Sequence, residues 1–234
     1  MKIHRFITKF NPSAQKVSIE DIALVHQIKN VLKLKVGEAV DLLDGSGSEA
    51  RGRIEKITAS SIEVSILETK QESKNKMAKI ILCCSILKKE NFELVVEKAT
   101  ELGVDEIVPL ICDKTVKLSV DVARLNRIAK EATEQSGRST VPTIGEITKF
   151  KDLISRKNGP VLFFDRAGEK ITTSNLKGFL AKSMVLCIGP EGGWSENELN
   201  LAQKNDAKIL NLGETVLRGE TAALAAVCAV KFLK

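Results

Sequence analysis

A chain of 234 residues with 43% hydrophobic and 28% charged side chains has room for one large or two small globular domains. No apolar run reaches membrane-spanning length, and the N-terminus MKIHRFITKF has no signal-peptide core, so a cytoplasmic protein without membrane contact is expected. The 36 Lys and Arg outweigh the 30 Asp and Glu to give a net charge of +6, which allows a polyanionic partner without requiring one.

Residues 1–72 read as mostly strand around one helix, the pattern of a small barrel. Lys2, His4, Arg5, Lys9 and Lys16 all precede the first acid, Glu20. Ser18 is positioned to cap a helix over DIALVHQIKNVLK, with Asp21 at the return position of a capping box and Val17 as a staple. Helical spacing puts Ile22, Val25, Ile28, Val31 and Leu32 on one face. VDLLDGSG reads as a strand entering a glycine turn, and ARGRIEKIT and SIEVSILET alternate as strands do. The polar stretch QESKNK at 71–76 is the expected linker, and Lys74, Lys76 and Lys79 make a second basic stretch around it.

Beyond the linker, 73–234 turns to strand-helix alternation. The expected strands are AKIILCCSIL, DEIVPLIC, VLFFD, SMVLCIG and AKILNLG; the expected helices are FELVVEKATELG, DVARLNRIAKEATEQSG, SENELNLAQKN and ETAALAAVCAVKFLK. Continuous apolar strands separated by helices predict an α/β fold, with a largely parallel sheet covered on both faces. The cysteines (83, 84, 112, 187 and 228) contain no C-x-x-C pair; Cys83, Cys84 and Cys187 lie in apolar runs and Cys228 in an alanine-rich one. They are expected to be buried, reduced thiols, and with only two histidines no metal site is expected.

The segment most informative about chemistry is VLCIGPEGGWSEN, where a buried strand runs into Gly189, Pro190, Glu191, Gly192 and Gly193 ahead of a helix capped by Ser195 with Glu198. A loop at the carboxyl end of a strand in an open α/β sheet is a ligand position. It is neither a P-loop, lacking the lysine, nor the G-x-G-x-x-G dinucleotide fingerprint. Glu191 repels phosphate but suits a cationic, hydroxyl-bearing ligand such as a sulfonium cofactor with a ribose; a purely structural turn is the alternative. LNLGETVLRGET repeats the arrangement, with Leu212, Gly213, Leu217 and Arg218 after a strand.

EKATELGVDEIVPL, EATEQSGRSTVP, IGPEGGWSENEL and LNLGETVLRGETA, in this order, resemble the RsmE family of 16S ribosomal RNA uracil-N3 methyltransferases, of the SPOUT class; HRF and VLKLKVGEAVDLLDGSG are similar too. The resemblance covers nearly the whole chain. It implies a PUA-like RNA-binding β-barrel over 1–72 and a SPOUT α/β domain with a C-terminal trefoil knot over 73–234. It also implies a homodimer and S-adenosylmethionine held by residues 189–193 and 212–218. Lys33 stands where the family often has arginine, which replaces a bidentate phosphate contact by a point charge.

For such a substrate, 16S rRNA or the small ribosomal subunit, the imide proton at uracil N3 must leave and the anion must be held against the methyl donor. Arg218 and Arg138 are the expected donors to the uracil carbonyls. Glu101 is the candidate proton acceptor, or else a structural ion-pair partner. Gln135 is placed to read the base edge or to cap a helix, and His4, Arg5 and Lys33 to contact the RNA backbone. Alternatives are methylation of another RNA or of a ribose 2′-oxygen, or a non-catalytic RNA-binding assembly factor; a Rossmann dehydrogenase ranks last, because its fingerprint would follow an early strand.

Overall fold

The computed structural model describes residues 3–71, 79–88, 90–155, 159–176, 179 and 183–232. The chain forms two compact units, Met1–Lys74 with Thr133–Val141, and Asn75–Ala132 with Pro142–Lys234. The boundary expected at 72/73, and the linker beyond Gln71, lie outside the described residues.

The first unit is a five-stranded sheet in the order β1-β3-β4-β5-β2. Its strands are β1 (His4–Ile7), β2 (Lys16–Ile19), β3 (Ala39–Leu43), β4 (Ser48–Ile57) and β5 (Ile62–Gln71). β1 runs parallel to β3, and the other pairs are antiparallel. Alternation along the strands sends Phe6, Val17, Ile19, Val40, Leu42, Ile54, Ile62 and Val64 into one core, where Leu24, Val25 and Ile28 of the helix join them.

That helix departs from the expected pattern. Ser18 is held in β2 opposite Glu63, because Ile19 continues the strand opposite Ile62. Asp21 caps α1 (Ile22–His26) instead, accepting from the N–H groups of Ala23 and Leu24 at 2.9 and 3.2 Å. The chain then widens into a π-helical stretch, Gln27–Val31, in which Leu32 N–H reaches back to Gln27 O. The wider turn rotates the register, so Val31 is exposed, and Ile22 at the helix start is exposed as well. Lys33 follows with φ at +54°, the left-handed position that ends a helix.

The second unit carries a wholly parallel seven-stranded sheet in the order β12-β10-β11-β6-β7-β8, with β9 also on β7. The strands are β6 (Ile80–Ser85), β7 (Glu106–Ile111), β8 (Thr143–Ile144), β9 (Thr148–Lys149), β10 (Val161–Lys170), β11 (Met184–Ile188) and β12 (Lys208–Asn211). Every residue of central β11, MVLCI, is buried, as a strand covered on both faces requires. The helices are α2 (Asn91–Glu101), α3 (Val122–Ser136), α4 (Phe150–Ser155), α5 (Thr173–Leu176), α6 (Glu196–Lys204) and α7 (Gly219–Phe232). α7 packs on α2, β6 and β11, whereas Phe150, Ile154 and Ala202 of α4 and α6 join a core with Cys83, Phe163, Cys187 and Trp194. Gly103 and Gly137 follow α2 and α3 at φ of +85° and +74°, where a Cβ would be strained.

All the cysteines are free; four are buried and Cys228 is half-buried, less enclosed than expected. Burial pushes the Cys112 thiol up to about 12 and Cys84 further, so neither is a thiolate nucleophile. Among the described residues no group of His, Cys, Asp or Glu could hold a metal ion, and no helix is long and apolar enough to cross a membrane.

Candidate active site

Three strands of the parallel sheet, β10, β11 and β12, send their carboxyl-end loops around one cavity of about 650 Å³ in the second unit. That size is within the range of about 300–1,000 Å³ usual for small-molecule pockets. The β11 loop contributes Gly189, Pro190, Glu191 and Gly193, and the β12 loop contributes Leu212, Gly213, Leu217 and Arg218. Every cofactor-binding residue expected from the sequence therefore lines the cavity except Gly192.

The β11 loop is fixed from several sides. Trp194 donates its indole N–H to Phe164 O at 2.9 Å, tying the loop to the end of β10, and its ring packs on Phe150 and Phe163. Gly189 is required beneath that ring, since a Cβ there would approach the indole to 2.9 Å. Gly193 turns the chain at φ +70°. Lys114 donates to the carbonyls of Gly192 and Trp194, both at 3.1 Å, and its side chain occupies the space beside Gly192, so a Cβ at that glycine would meet lysine. Ser195 and Glu198 complete the expected capping box at α6, and Glu198 also accepts from the N–H of Asp113. Lys88 N–H donates to Glu191 Oε1 at 2.9 Å, which fixes this carboxylate at the cavity wall.

The sequence reading missed the third loop. β10 bulges between Phe164 and Glu169, and this excursion brings Asp165 and Arg166 to the cavity. Asp165 closes the turn by accepting from Ala167 N–H, and Gly168 passes so close to Leu210 that a Cβ would come within 2.6 Å of its backbone. Arg166 O in turn accepts from Asn211 Nδ2, joining this loop to β12. The signal was present in DRAG directly after VLFF, a charged pair and a glycine ending a buried strand. Lys88 and Asn91, after β6, were missed as well.

The three catalytic candidates do not share this cavity wall. Arg218 lines it, is exposed, and forms no ion pair among the described residues. Glu101 does not line it; at the last turn of α2 its Oε1 holds the Lys98 ammonium at 2.8 Å, and the bonds from Glu101 and then Glu97 raise that ammonium's pKa. Arg138 belongs to the first unit, where its N–H donates to Thr133 O.

The RNA-binding candidates His4, Arg5, Lys33, Gln135 and Arg138 all fall in the first unit. His4 stacks along Phe6, and Lys33 and Gln135 are exposed. Arg5 lies 3.8 Å from the buried carboxylate of Asp41, with its guanidinium against Gly137. In the same unit Glu134 accepts from Ile7 N–H at 2.8 Å, Ser139 O from Gly47 N–H, and Gly45 O from Val141 N–H. These bonds dock the QSGRST turn beside β1 and the DGSG turn.

Comparison with known proteins places the chain in a family. Residues 73–231 match the RNA methyltransferase domain family, and residues 20–67 the RNA methyltransferase PUA domain. Ribosomal RNA small subunit methyltransferase E of Rickettsia conorii is 31% identical over all of this chain and 97% of its own length. The protein of the same name from Bacillus subtilis is 28% identical over 89% of this chain and 87% of its own. The crystal structure of a ribosomal RNA small subunit methyltransferase E from Neisseria gonorrhoeae, bound to S-adenosyl methionine, is similar with a TM-score of 0.89 at 29% identity, over 99% of this chain and 98% of that one. The chain belongs to the RNA methyltransferase family of the ribosomal RNA small subunit methyltransferases E.

Proposed function

We propose that this protein methylates N3 of a uridine in 16S ribosomal RNA of the small subunit, with S-adenosylmethionine as donor in the cavity between the β10, β11 and β12 loops. The observation that carries the reading is the convergence of the GPEGG and LGETVLRG loops on that cavity, together with the cofactor held by the Neisseria relative. The cavity fits the cofactor chemically. Phe164, Ile188, Leu212 and Leu217 offer apolar surface for an adenine, and Glu191 and Glu220 suit a cationic molecule. When bound there, the cofactor supplies an electrophilic methyl group.

The chain's own task is positioning and charge. Loss of the N3 proton leaves negative charge on the flanking uracil carbonyls, and Arg218, exposed at the cavity, offers a guanidinium to take it. Glu101 is held by Lys98, which favours its ion-pair role over proton abstraction. The first unit is proposed as a PUA-like barrel that grips RNA through His4, Arg5, Lys33, Gln135 and Arg138. A C-terminal trefoil knot, the hallmark of the SPOUT class that the sequence resembles, is part of the same reading. A cytoplasmic homodimer completes the reading.

The test is methyl transfer from labelled S-adenosylmethionine to small subunits that lack the modification. Label in 16S RNA recovered as N3-methyluridine supports the function; label in ribose 2′-oxygen, or none, overturns it.

A further inference from the structure

The bulge in β10 interrupts a strand inside the sheet and carries an arginine to the cavity wall. Phe164 before the bulge and Glu169 after it both pair with Leu210, so residues 165–168 are thrown out of the ladder. β10 lies between β12 and β11, where unbroken pairing on both sides is the ordinary arrangement. Bulges beside binding sites serve to re-aim a side chain. This one is pinned from several directions. Trp194 donates its indole N–H to Phe164 O at 2.9 Å, Asp165 accepts from Ala167 N–H at 2.8 Å, and Gly168 lies against the backbone of Leu210. Asn211 ties the bulge to the next loop, donating to Arg166 O at 2.9 Å while accepting from Gly213 N–H at 2.8 Å. The backbone of Arg166 is thus fixed. The residue itself is exposed, lines the cavity and forms no ion pair among the described residues.

A guanidinium keeps its charge at every working pH and presents its donors in a fork that fits two oxygens of one anion. Two such anions come to a methyl-transfer site of this kind: a phosphate of the RNA and the carboxylate of S-adenosylmethionine. We propose that Arg166 is a substrate-binding residue whose guanidinium holds one of these anionic oxygen groups. The inference rests on the cavity being the methyl-transfer site. Backbone anchoring makes the arginine suited to this role, because a loop already ordered has little freedom left to lose when the anion arrives. Asn211 also fixes that backbone relative to the β12 loop, which carries Leu217 and Arg218 to the same cavity. A group held at Arg166 is therefore placed with respect to both.

The experiment compares wild-type and Arg166→Gln protein in two arms. One measures binding of 16S ribosomal RNA across a salt series; the other titrates S-adenosylmethionine and its decarboxylated analogue calorimetrically. If the anion is a phosphate, RNA affinity falls, its salt slope drops by about 0.7–0.9, and both cofactor affinities stay at wild type. If it is the carboxylate, affinity for S-adenosylmethionine falls about tenfold, the decarboxylated analogue binds as before, and the RNA slope is unchanged. Either result supports the proposal. Equal loss for both cofactors, a loss confined to turnover, or no change in either arm overturns it. A loss confined to turnover would move Arg166 to the reacting base. Should Arg166→Gln fail to fold in a thermal melt, Arg166→Lys carries the test, since it keeps the charge and loses the fork. A smaller loss in one arm alone is then expected, and wild-type values in both arms refute the role. A wild-type protein that binds neither RNA nor S-adenosylmethionine removes the functional reading itself, and this inference with it. A wild type that binds both, beside an indifferent variant, removes the inference alone.

Discussion

The guanidinium of Arg51 grips the buried carboxylate of Asp41 through two donors, Nε at 2.8 Å and NH2 at 3.2 Å. The two residues are register partners across β3 and β4, and Arg5 is the register partner of Asp41 on the other side, across β1 and β3. One fully buried acid thus serves two arginines whose side chains remain 37% and 44% exposed. A guanidinium has five N–H donors, so holding one edge leaves others to face a phosphate.

Asp41→Asn should therefore destabilise the first unit. Breaking a fully buried pair costs about 3–5 kcal/mol, but the exposure of both arginines reduces the expectation to about 1–3 kcal/mol. Urea denaturation reads it directly, and a midpoint equal to wild type would show that the carboxylate is dispensable.

RNA grip and chemistry should separate. Replacing Arg5 and Lys33 by Ala should weaken RNA binding and flatten its salt dependence, by a slope of about 0.7–0.9 per lost phosphate contact, with cofactor affinity unchanged. Arg218→Ala should leave RNA binding nearly intact and lower turnover about 10²-fold. Filter binding across a salt series and single-turnover methylation distinguish them; full turnover by Arg218→Ala removes that residue from charge stabilisation.

The glycines of the β11 loop should differ sharply in tolerance. Gly189→Ala must displace the buried Trp194 ring and its bond to Phe164 O, at a cost of about 1–3 kcal/mol, and should weaken cofactor binding. Gly192→Ala meets the Lys114 side chain at 3.3 Å, which is partly free to move, and should be milder on both counts. Thermal melts with and without S-adenosylmethionine rank the two, and the reverse order would contradict this account of the loop.

The sequence revealed the parallel unit well and the details of the first unit less so. Strands such as MVLCI and helix stops at Gly103 and Gly137 are readable because burial on two faces and left-handed glycines leave strong local marks. The π-helical stretch at 27–31 buries Ile28 in the sheet core, and periodicity at 3.6 residues placed Val31 inside when it is exposed. GPEGG and LRGE were legible as loops that line the cavity because glycines follow buried strands. The β10 loop was not, because its bulge depends on β12 alongside. Nor could any local pattern show that Thr133–Val141 belongs with the first unit, since that follows from long-range bonds such as Ile7 to Glu134.

α7 buries Ala223, Ala226, Val227 and Val230 but leaves Phe232 68% exposed at its end. The proposed two-fold homodimer would cover this apolar remainder. Light scattering at micromolar concentration should give twice the 25.6 kDa chain mass for wild type, and Phe232→Glu should shift it toward the monomer. A monomeric wild type contradicts the dimer.

The most direct test of the central claim is nucleoside mass spectrometry of 16S RNA from cells lacking this protein. The account predicts loss of a single N3-methyluridine, restored by the wild-type chain and not by Arg218→Ala. An unchanged N3-methyluridine content, or loss of a ribose 2′-O-methyl group instead, would contradict it.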